Sequence, residues 1–253
     1  MKIGLVQYSP VWEDKLKNQD RLINLIFNKK RNEDVLIFPE MSLTGFTMNA
    51  ASFAESLDGE SFRFFAGLAL NNKAHVLSGI IEERDGKYYN SLMHINPLGK
   101  IEKVYRKIHP FSLSSEDKHY ARGVETVVTK IGNWNAGLSI CYDLRFPELY
   151  RQYGKSRVEL IVVIASWPAA RIEHWKTLLK ARAIENQCYV AGVNRAGNDI
   201  KLKYNGCSCI YDPMGSEVIS SEDNETILSA DISIDKVKEL QLKLPFLDDI
   251  VLI

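Results

Sequence analysis

The segment 137–149 constrains the fold of this chain most, because it joins an apolar strand directly to a helix. The strand pattern stops abruptly at Cys141, and a helical pattern begins at once. One thiol therefore lies at the carboxyl end of a strand and near a helix N-terminus, where backbone N–H groups and the helix dipole favour thiolate over thiol. A cysteine in this place is either a nucleophile or a coincidence, and the rest of the chain must decide between the two.

Strand and helix patterns alternate along the whole sequence. Alternating or continuous apolar runs predict strands, and apolar residues at helical spacing predict helices. The run 158–165 is almost continuously apolar, as in a buried parallel sheet, and Asp85-Gly86 predicts a hairpin turn. The predicted strands are 2–8, 34–38, 75–81, 88–95, 101–105, 124–129, 135–140, 158–165, 189–193, 208–211, 217–219 and 226–232, and the predicted helices are 16–27, 61–72, 147–153, 173–186 and 235–240.

The order of these patterns predicts the fold class. Strand–helix units mixed with hairpins occur in both halves of the chain, which favours an α/β protein with two sheets stacked face to face and helices outside. At 253 residues the chain has the length of one α/β domain, and no linker or low-complexity segment interrupts it. We therefore predict a single domain over residues 1–253.

The composition argues against several classes of partner. Lysine plus arginine and aspartate plus glutamate both number 32, so we expect no broad basic surface for nucleic acid or for an anionic membrane. No apolar run approaches the roughly 18 residues of a membrane span, and we expect no secretory signal. The 4 cysteines then fit reduced thiols in the cytoplasm. Cys207 and Cys209 lack further metal ligands nearby, so we expect them to pack in the core.

Three polar residues follow apolar strands in the same manner. Glu40, Lys107 and Cys141 each stand just beyond the end of a predicted strand. In layered α/β folds the carboxyl ends of strands collect catalytic groups at one rim. There a carboxylate removes the thiol proton, the thiolate attacks a carbon, and an ammonium stabilises the developing oxyanion.

Each of the three residues has another interpretation when taken alone. Glutamate is mostly exposed in proteins, Lys107 lies in a basic cluster that fits a solvated face, and a lone cysteine is often simply buried. A Cys–His pair, as in thiol proteases, is the rival scheme, with His109 as the base. That scheme leaves Glu40 and Lys107 without roles, so we favour the combination of Glu40, Lys107 and Cys141.

Three segments of the chain resemble the signature segments of the nitrilase (carbon–nitrogen hydrolase) superfamily. Residues 2–10, Asn90-Ser91 and residues 175–194 add to the resemblance, which covers nearly the whole chain. The signature segments are Phe38-Pro39-Glu40-Met41 with Leu43-Thr44-Gly45-Phe46, then Tyr105-Arg106-Lys107-Ile108-His109, then Cys141-Tyr142-Asp143-Leu144-Arg145-Phe146-Pro147-Glu148.

The resemblance implies a four-layer αββα sandwich and a catalytic set of three side chains. Glu40 would be the general base, Lys107 the oxyanion stabiliser and Cys141 the nucleophile that forms a thioester. The backbone N–H of Tyr142 would be a second oxyanion donor. The resemblance implies no metal and no organic cofactor.

The family commonly has a second glutamate in the loop after the lysine strand. Glu116 is the match in this sequence, and the adjacent Asp117 is a competitor. In this interpretation Glu116 would position the substrate nitrogen and tune Glu40, since nearby like charges raise the pKa of a carboxylate.

Within the superfamily, residues 141–149 and 165–171 are most similar to the omega-amidases, which hydrolyse the terminal amide of 2-oxoglutaramate or 2-oxosuccinamate. The resemblance therefore implies a small-molecule amide as the substrate and a homodimer as the assembly. The alternative is a related amidase that acts on deaminated glutathione or on an N-carbamoyl compound. A catalytically idle scaffold of the same fold is a further alternative, against which the intact Glu40, Lys107 and Cys141 argue.

Substrates of omega-amidases carry a carboxylate, so the resemblance implies cationic residues in the pocket. Arg145 and Arg171 are the candidates, because a guanidinium binds a carboxylate in bidentate fashion. Trp167 follows a core strand directly and is a candidate wall of the pocket. An ion pair of Arg145 with Asp143 or Glu148 is an alternative, as is a purely structural indole for Trp167.

Overall fold

The computed structural model describes residues 1–27 and 31–252, which form two mixed six-stranded sheets and a small hairpin, with helices around them. The strands are β1 (Lys2–Gln7), β2 (Val35–Ile37), β3 (His75–Arg84), β4 (Lys87–Ile95), β5 (Ile101–Arg106), β6 (Val128–Ile131), β7 (Trp134–Ile140), β8 (Leu160–Ala165), β9 (Tyr189–Asn194), β10 (Ala196–Asn198), β11 (Lys203–Asn205), β12 (Cys209–Tyr211), β13 (Glu217–Ser220) and β14 (Thr226–Asp231). The helices are α1 (Lys15–Phe27), α2 (Ala50–Phe53), α3 (Glu60–Asn72), α4 (Glu116–His119), α5 (Pro147–Lys155), α6 (Ile172–Asn186) and α7 (Ile234–Lys243).

The two large sheets have the same topology. The strand order is β14-β1-β2-β3-β4-β5 in the first sheet and β13-β12-β9-β8-β7-β6 in the second. Each sheet has three parallel strands at its centre, β1 to β3 in one and β7 to β9 in the other. Antiparallel strands flank both centres, one on one side and two on the other. The repeated strand–helix order of the sequence therefore corresponds to two sheets built in the same way.

Alternating side chains of the strands divide the core into layers. Ile3 and Leu5 of β1 pack in one cluster with Leu138 and Ile140 of β7, so the two sheets lie face to face. Val6 points to the opposite face of the first sheet and packs in a cluster with α1 and α3. On the outer face of the second sheet, α5 and α6 pack against β7 and β9. This arrangement confirms the predicted αββα sandwich.

The predicted strand at 124–129 is wrong in its first part, because β6 begins only at Val128. Val124 is apolar and β-branched as in a strand, but its side chain is 93% exposed. Val127 donates its N–H to the Tyr153 hydroxyl at 3.3 Å, so a side chain takes the place of a ladder partner. Such a replacement depends on α5 and leaves no local signal in the sequence.

Short elements escaped prediction. The hairpin of β10 and β11 and the one-turn helices α2 and α4 are too short to show a period of their own. Among the described residues the longest helix is α6, with 15 residues. In the described ranges, no helix has both the length and the apolar character that a membrane crossing requires.

Candidate active site

Strand ends from both sheets meet at one rim of the sandwich. β2 and β5 of the first sheet lead to Glu40 and Lys107, and β7 of the second sheet leads to Cys141. The turn that carries Glu40 passes closely over β3, where a Cβ on Gly79 would lie 2.5 Å from the Met41 nitrogen and 2.7 Å from Glu40 Cα. The missing side chain of Gly79 therefore lets Glu40 lie against the sheet.

Lys107, Glu40 and Glu116 form a buried ion cluster. Lys107 Nζ lies 2.8 Å from Glu40 Oε1 and 2.8 Å from Glu116 Oε2, and these three side chains are 1% exposed or less. Glu116 begins α4 and also accepts the N–H of Phe111 at 2.5 Å, which fixes the loop after β5 around the lysine. The structure thus places Glu116 in the cluster, whereas Asp117 is exposed.

Two residues from segments that carry the family resemblance, but without a predicted role, complete the hydrogen bonding of this cluster. Asn90 on β4 donates from Nδ2 to Glu40 Oε1 at 2.7 Å and to Glu116 Oε1 at 2.8 Å. The backbone N–H of Ser166, directly after β8, donates to Glu40 Oε2 at 2.8 Å. These partners lie 126, 50 and 26 positions apart in the chain, so no local pattern reveals them.

Burial and charge act against each other in the cluster. Burial by itself lowers the pKa of Lys107, but the carboxylates of Glu116 and Glu40 outweigh it and hold that pKa well above its usual value. Burial raises the pKa of Glu116, which the charge of Lys107 opposes and the charge of Glu40 reinforces. The site therefore contains one permanent ammonium between two carboxyl groups that compete for it.

Cys141 follows β7 in a left-handed backbone conformation, with φ of 49°. It begins a 3₁₀ segment of 5 residues, and α5 starts only after that segment. The prediction that a helix N-terminus favours the thiolate is wrong. Burial raises the pKa of Cys141 well above its usual value, and the charge of Glu40 adds to this while Lys107 opposes it. The resting side chain is therefore a thiol, which needs a base to become a nucleophile.

Asp143 holds the turn of Cys141 in place. Through Oδ2 its fully buried carboxylate accepts the N–H of Ile140 at 3.0 Å and the hydroxyl of Tyr105 at 2.7 Å. Through Oδ1 it accepts the backbone N–H of His109 at 2.9 Å and contacts His109 Nδ1 at 2.8 Å. In the described part of the chain no hydrogen bond joins His109 to Cys141, so the geometry does not support the Cys–His scheme.

A cavity of about 670 Å³ opens onto this rim. Cys141 and Ser166 lie in its wall, whereas Glu40, Lys107 and Glu116 are buried behind it. The wall also contains all of the residues predicted for substrate binding, namely Tyr142, Arg145, Trp167 and Arg171.

The two arginines of the cavity have no carboxylate partner within the described ranges. The Arg145 guanidinium lies 4.7 Å from the centroid of the Trp167 ring and 3.3 Å from His174 Nδ1. The Arg171 guanidinium lies 5.7 Å from the centroid of the Phe111 ring. Aromatic faces hold both cations and, apart from the contact of Arg145 with His174, leave their N–H donors available to an anion.

The structure does not show the alternative ion pair of Arg145, and it supports the alternative structural role of Trp167 only in part. Arg145 forms no ion pair with Asp143, whose carboxylate is engaged by Tyr105 and His109, or with the exposed Glu148. Trp167 is 3% exposed and donates Nε1 to the Arg171 carbonyl at 2.8 Å. Its indole is therefore both a core side chain and part of the cavity wall.

The other cysteines lie away from this site. Cys188, Cys207 and Cys209 are buried free thiols that do not line the cavity. Within residues 1–27 and 31–252, no group of three or more His, Cys, Asp or Glu side chains is arranged to hold a metal ion.

The family model of Carbon-nitrogen hydrolase matches residues 2–241 of the sequence. The chain belongs to this family. Among curated members, a 2-oxoglutaramate amidase from Bacillus subtilis (strain 168) is 31% identical over 98% of this chain and 96% of that protein. An omega-amidase from Escherichia coli (strain K12) is 33% identical over the same shares, 98% and 96%.

Solved structures of other carbon–nitrogen hydrolases have the same fold. A superfamily protein from Xanthomonas campestris, described with an arsenic adduct in its active site, matches with a TM-score of 0.95 at 32% identity, over 100% of this chain and 98% of that one. Nit3 from Saccharomyces cerevisiae matches with a TM-score of 0.87 at 24% identity, over 97% and 94% of the two chains. This second likeness concerns the fold alone.

The rim of this carbon–nitrogen hydrolase contains the groups that acyl transfer requires. A thiol stands at the cavity wall, a carboxylate lies behind it, and a permanent ammonium is fixed beside both. Nucleophilic attack, proton transfer and oxyanion stabilisation are the chemical tasks that such groups perform.

Proposed function

We propose that this chain is an omega-amidase, which hydrolyses the terminal amide of a small omega-amido carboxylic acid such as 2-oxoglutaramate or 2-oxosuccinamate and releases ammonia. The observation that carries the proposal is the buried cluster of Glu40, Lys107 and Glu116 behind Cys141, at a cavity with two arginines that have no carboxylate partner among the described residues. The names of the curated relatives support this choice of substrate.

In this proposal Cys141 is the nucleophile and Glu40 is its general base. Lys107 and Asn90 both donate to Glu40 Oε1, so that oxygen has little capacity left. Within the described ranges, Oε2 accepts only the N–H of Ser166, which also interacts with the Cys141 sulfur. The thiol proton therefore moves to Oε2 of Glu40, and the thiolate attacks the amide carbon.

The ammonium of Lys107 and the backbone N–H of Tyr142 stabilise the oxyanion that forms on the former amide oxygen. The protonated Glu40 then gives its proton to the amide nitrogen, which Glu116 positions, and ammonia leaves. The acyl group remains on Cys141 as a thioester. Glu40, again a carboxylate, activates a water that hydrolyses the thioester and frees the acid.

Arg145 and Arg171 bind the carboxylate at the other end of the substrate. Both arginines line the cavity that also contains Cys141, and the Arg145 guanidinium contacts the ring of Trp167. A guanidinium pairs with a carboxylate through two parallel N–H···O bonds, which fixes the orientation of the acid as well as its charge. The amide at the far end then points toward the thiol.

The proposal extends to the assembly and the compartment. We expect a cytoplasmic homodimer that forms through α5 and α6, the helices on the outer face of the second sheet. Light scattering at micromolar concentration checks the assembly, and the mass of a single chain would contradict it.

A substrate panel tests the proposed function. The panel contains 2-oxoglutaramate, 2-oxosuccinamate, deaminated glutathione, N-carbamoyl compounds and simple nitriles, and ammonia release or product formation is measured for each. The highest kcat/KM is expected for 2-oxoglutaramate or 2-oxosuccinamate. A carbamoyl compound, deaminated glutathione or a nitrile as the best substrate would overturn the choice of substrate. No turnover of any member would favour an idle scaffold.

A further inference from the structure

Asn90 forms hydrogen bonds with all three residues of the buried ion cluster, Glu40, Lys107 and Glu116. No other residue in the described part of the chain does so. Asn90 Nδ2 donates one hydrogen bond to Glu40 Oε1 at 2.7 Å and another to Glu116 Oε1 at 2.8 Å. Its backbone carbonyl accepts the N–H of Lys107 at 2.9 Å. The side chain is 1% exposed, so both donors act away from water.

The other end of the Asn90 amide is unsatisfied. Its Oδ1 is buried and has no hydrogen-bond partner in the described part of the chain. A buried carbonyl oxygen without a partner is unfavourable for stability. Asn90 therefore leaves its own carbonyl oxygen without a hydrogen bond, while both of its N–H groups donate to carboxylates.

Lys107 cannot fix the two carboxylates alone. A single ammonium provides one charge and three rotatable donors, so it neither neutralises both carboxylates nor determines which oxygen of each glutamate it holds. The planar amide of Asn90 has two N–H groups in a fixed fork, and both point at Oε1 atoms. Oε1 of Glu40 is thereby saturated, and Oε2 remains oriented toward Ser166 and the thiol.

We infer that Asn90 is a positioning residue that joins the carboxylates of Glu40 and Glu116 into one unit and reserves Glu40 Oε2 for the proton of Cys141. The inference rests on the proposed function for the identity of the proton donor. Asn90 touches no substrate in this account and acts through the two glutamates. Because N–H donors favour the ionised form of a carboxylate, Asn90 also opposes the burial that raises the pKa of Glu116.

Asn90→Leu tests this role, because leucine keeps the volume and removes both donors. We expect kcat for 2-oxoglutaramate to fall about ten- to a hundredfold, the effect of lost hydrogen bonds to charged groups, while KM stays within about threefold. The second measurement is the rate of Cys141 alkylation by iodoacetamide as a function of pH. That rate is expected to fall about tenfold across the pH range, because Glu40 Oε2 is no longer held toward the thiol and takes its proton less effectively.

Ser91→Ala is the matched control. Ser91 is the next residue on β4, is equally buried, and donates a hydrogen bond to another buried carboxylate, Glu82 Oε2, at 2.7 Å. Ser91→Ala therefore removes a comparable buried hydrogen bond to a carboxylate, but one that lies outside the site. We expect a lower melting temperature for this variant, with kcat and the alkylation profile within about twofold of wild type.

The outcomes separate this inference from the proposed function. Asn90→Leu with a wild-type kcat and a wild-type alkylation profile would overturn the role of Asn90. If the wild-type protein releases ammonia from neither 2-oxoglutaramate nor 2-oxosuccinamate, the proposed function fails, and the alkylation profile alone then decides about Asn90. If Asn90→Leu does not fold, as judged by its circular dichroism, Asn90→Ser takes its place in both measurements with the same expected directions.

Discussion

The proton of Cys141 determines how the site has to work. Many reactive cysteines are thiolates at rest because a cation or a helix N-terminus lowers their pKa. Here burial raises the pKa of the thiol, and the adjacent Glu40 raises it further. The nucleophile must therefore be generated during the reaction. The raised pKa of this thiol was not predictable from the sequence. It depends on how deeply the turn is buried and on a side chain from a distant segment, not on the sequence neighbours of Cys141.

Glu40→Gln tests the need for a base at the residue scale. The amide cannot take the thiol proton, so kcat for 2-oxoglutaramate should fall about 10²- to 10⁴-fold. Glu82→Gln is the control, since Glu82 is also fully buried and pairs with a cation, Arg106, outside the site. We expect Glu82→Gln to lower the melting temperature and to leave kcat nearly unchanged. Equal kcat values for the two variants would contradict the assignment of the base.

The cavity arginines allow a second test, which compares a substrate that carries a carboxylate with a neutral one. Replacing Arg145 or Arg171 by glutamine should raise KM for 2-oxoglutaramate about tenfold or more, because a charge-assisted contact to its carboxylate is lost. A neutral amide such as butyramide has no carboxylate, so its kcat/KM should stay within about threefold in the same variants. A parallel loss for both substrates would show that the arginines maintain the cavity rather than bind the acid.

At the scale of elements, the sequence predicted those features that depend on one continuous segment of the chain. Apolar runs located almost every long strand and helix, and the position of Glu40, Lys107 and Cys141 after strands indicated that they share a rim. The order of strands in each sheet and the contacts of Asn90 and Ser166 depend on pairings between distant segments. Such contacts leave no periodic signal, so the hydrogen-bonding shell of the cluster could be described only from the structure.

Substitutions of Asp143 and Tyr105 test how firmly the turn after β7 is joined to β5. Asp143 links this turn to Tyr105 of β5 and to His109 just beyond β5. Asp143→Asn turns an N–H group toward existing donors, and we expect a loss of about 3 kcal/mol or more in the free energy of unfolding. Tyr105→Phe removes one of these hydrogen bonds and should cost about 1.5 kcal/mol. Denaturant unfolding measures both, and equal losses would contradict the role of Asp143 as the shared acceptor.

At the scale of the whole molecule, a buried chain of polar side chains crosses between the two sheets. His75 Nδ1 of β3 lies 2.9 Å from His94 Nε2 of β4, and His94 Nδ1 lies 2.6 Å from Thr129 Oγ1 of β6. Burial lowers the pKa of His94 from its ordinary 6.5 to about 3, and the charge of His75 contributes in the same direction. The sandwich therefore encloses a neutral imidazole that becomes a cation when the chain unfolds in mild acid.

The stability of the sandwich should depend on pH for this reason. Between about pH 6.5 and pH 3 the unfolded chain binds a proton at His94 that the folded chain does not bind. This contribution to stability is complete above pH 6.5 and is lost as the pH falls, by about 1.4 kcal/mol per pH unit. Urea unfolding at pH 7.5 and pH 5 measures it. The loss in His94→Gln should be about 2 kcal/mol smaller than in wild type, and equal losses would contradict the assignment.

The central claim is that the thiol of Cys141 carries out amide hydrolysis, and a comparison of two cysteine variants tests it most directly. Cys207 is the matched control, because it is 8% exposed against 9% for Cys141 and also has a left-handed backbone, with φ of 57° against 49°. Ammonia release from 2-oxoglutaramate is measured for Cys141→Ala and Cys207→Ala at equal protein concentration. The account predicts no release above background for Cys141→Ala and a rate within about twofold of wild type for Cys207→Ala. Wild-type release by Cys141→Ala would contradict it.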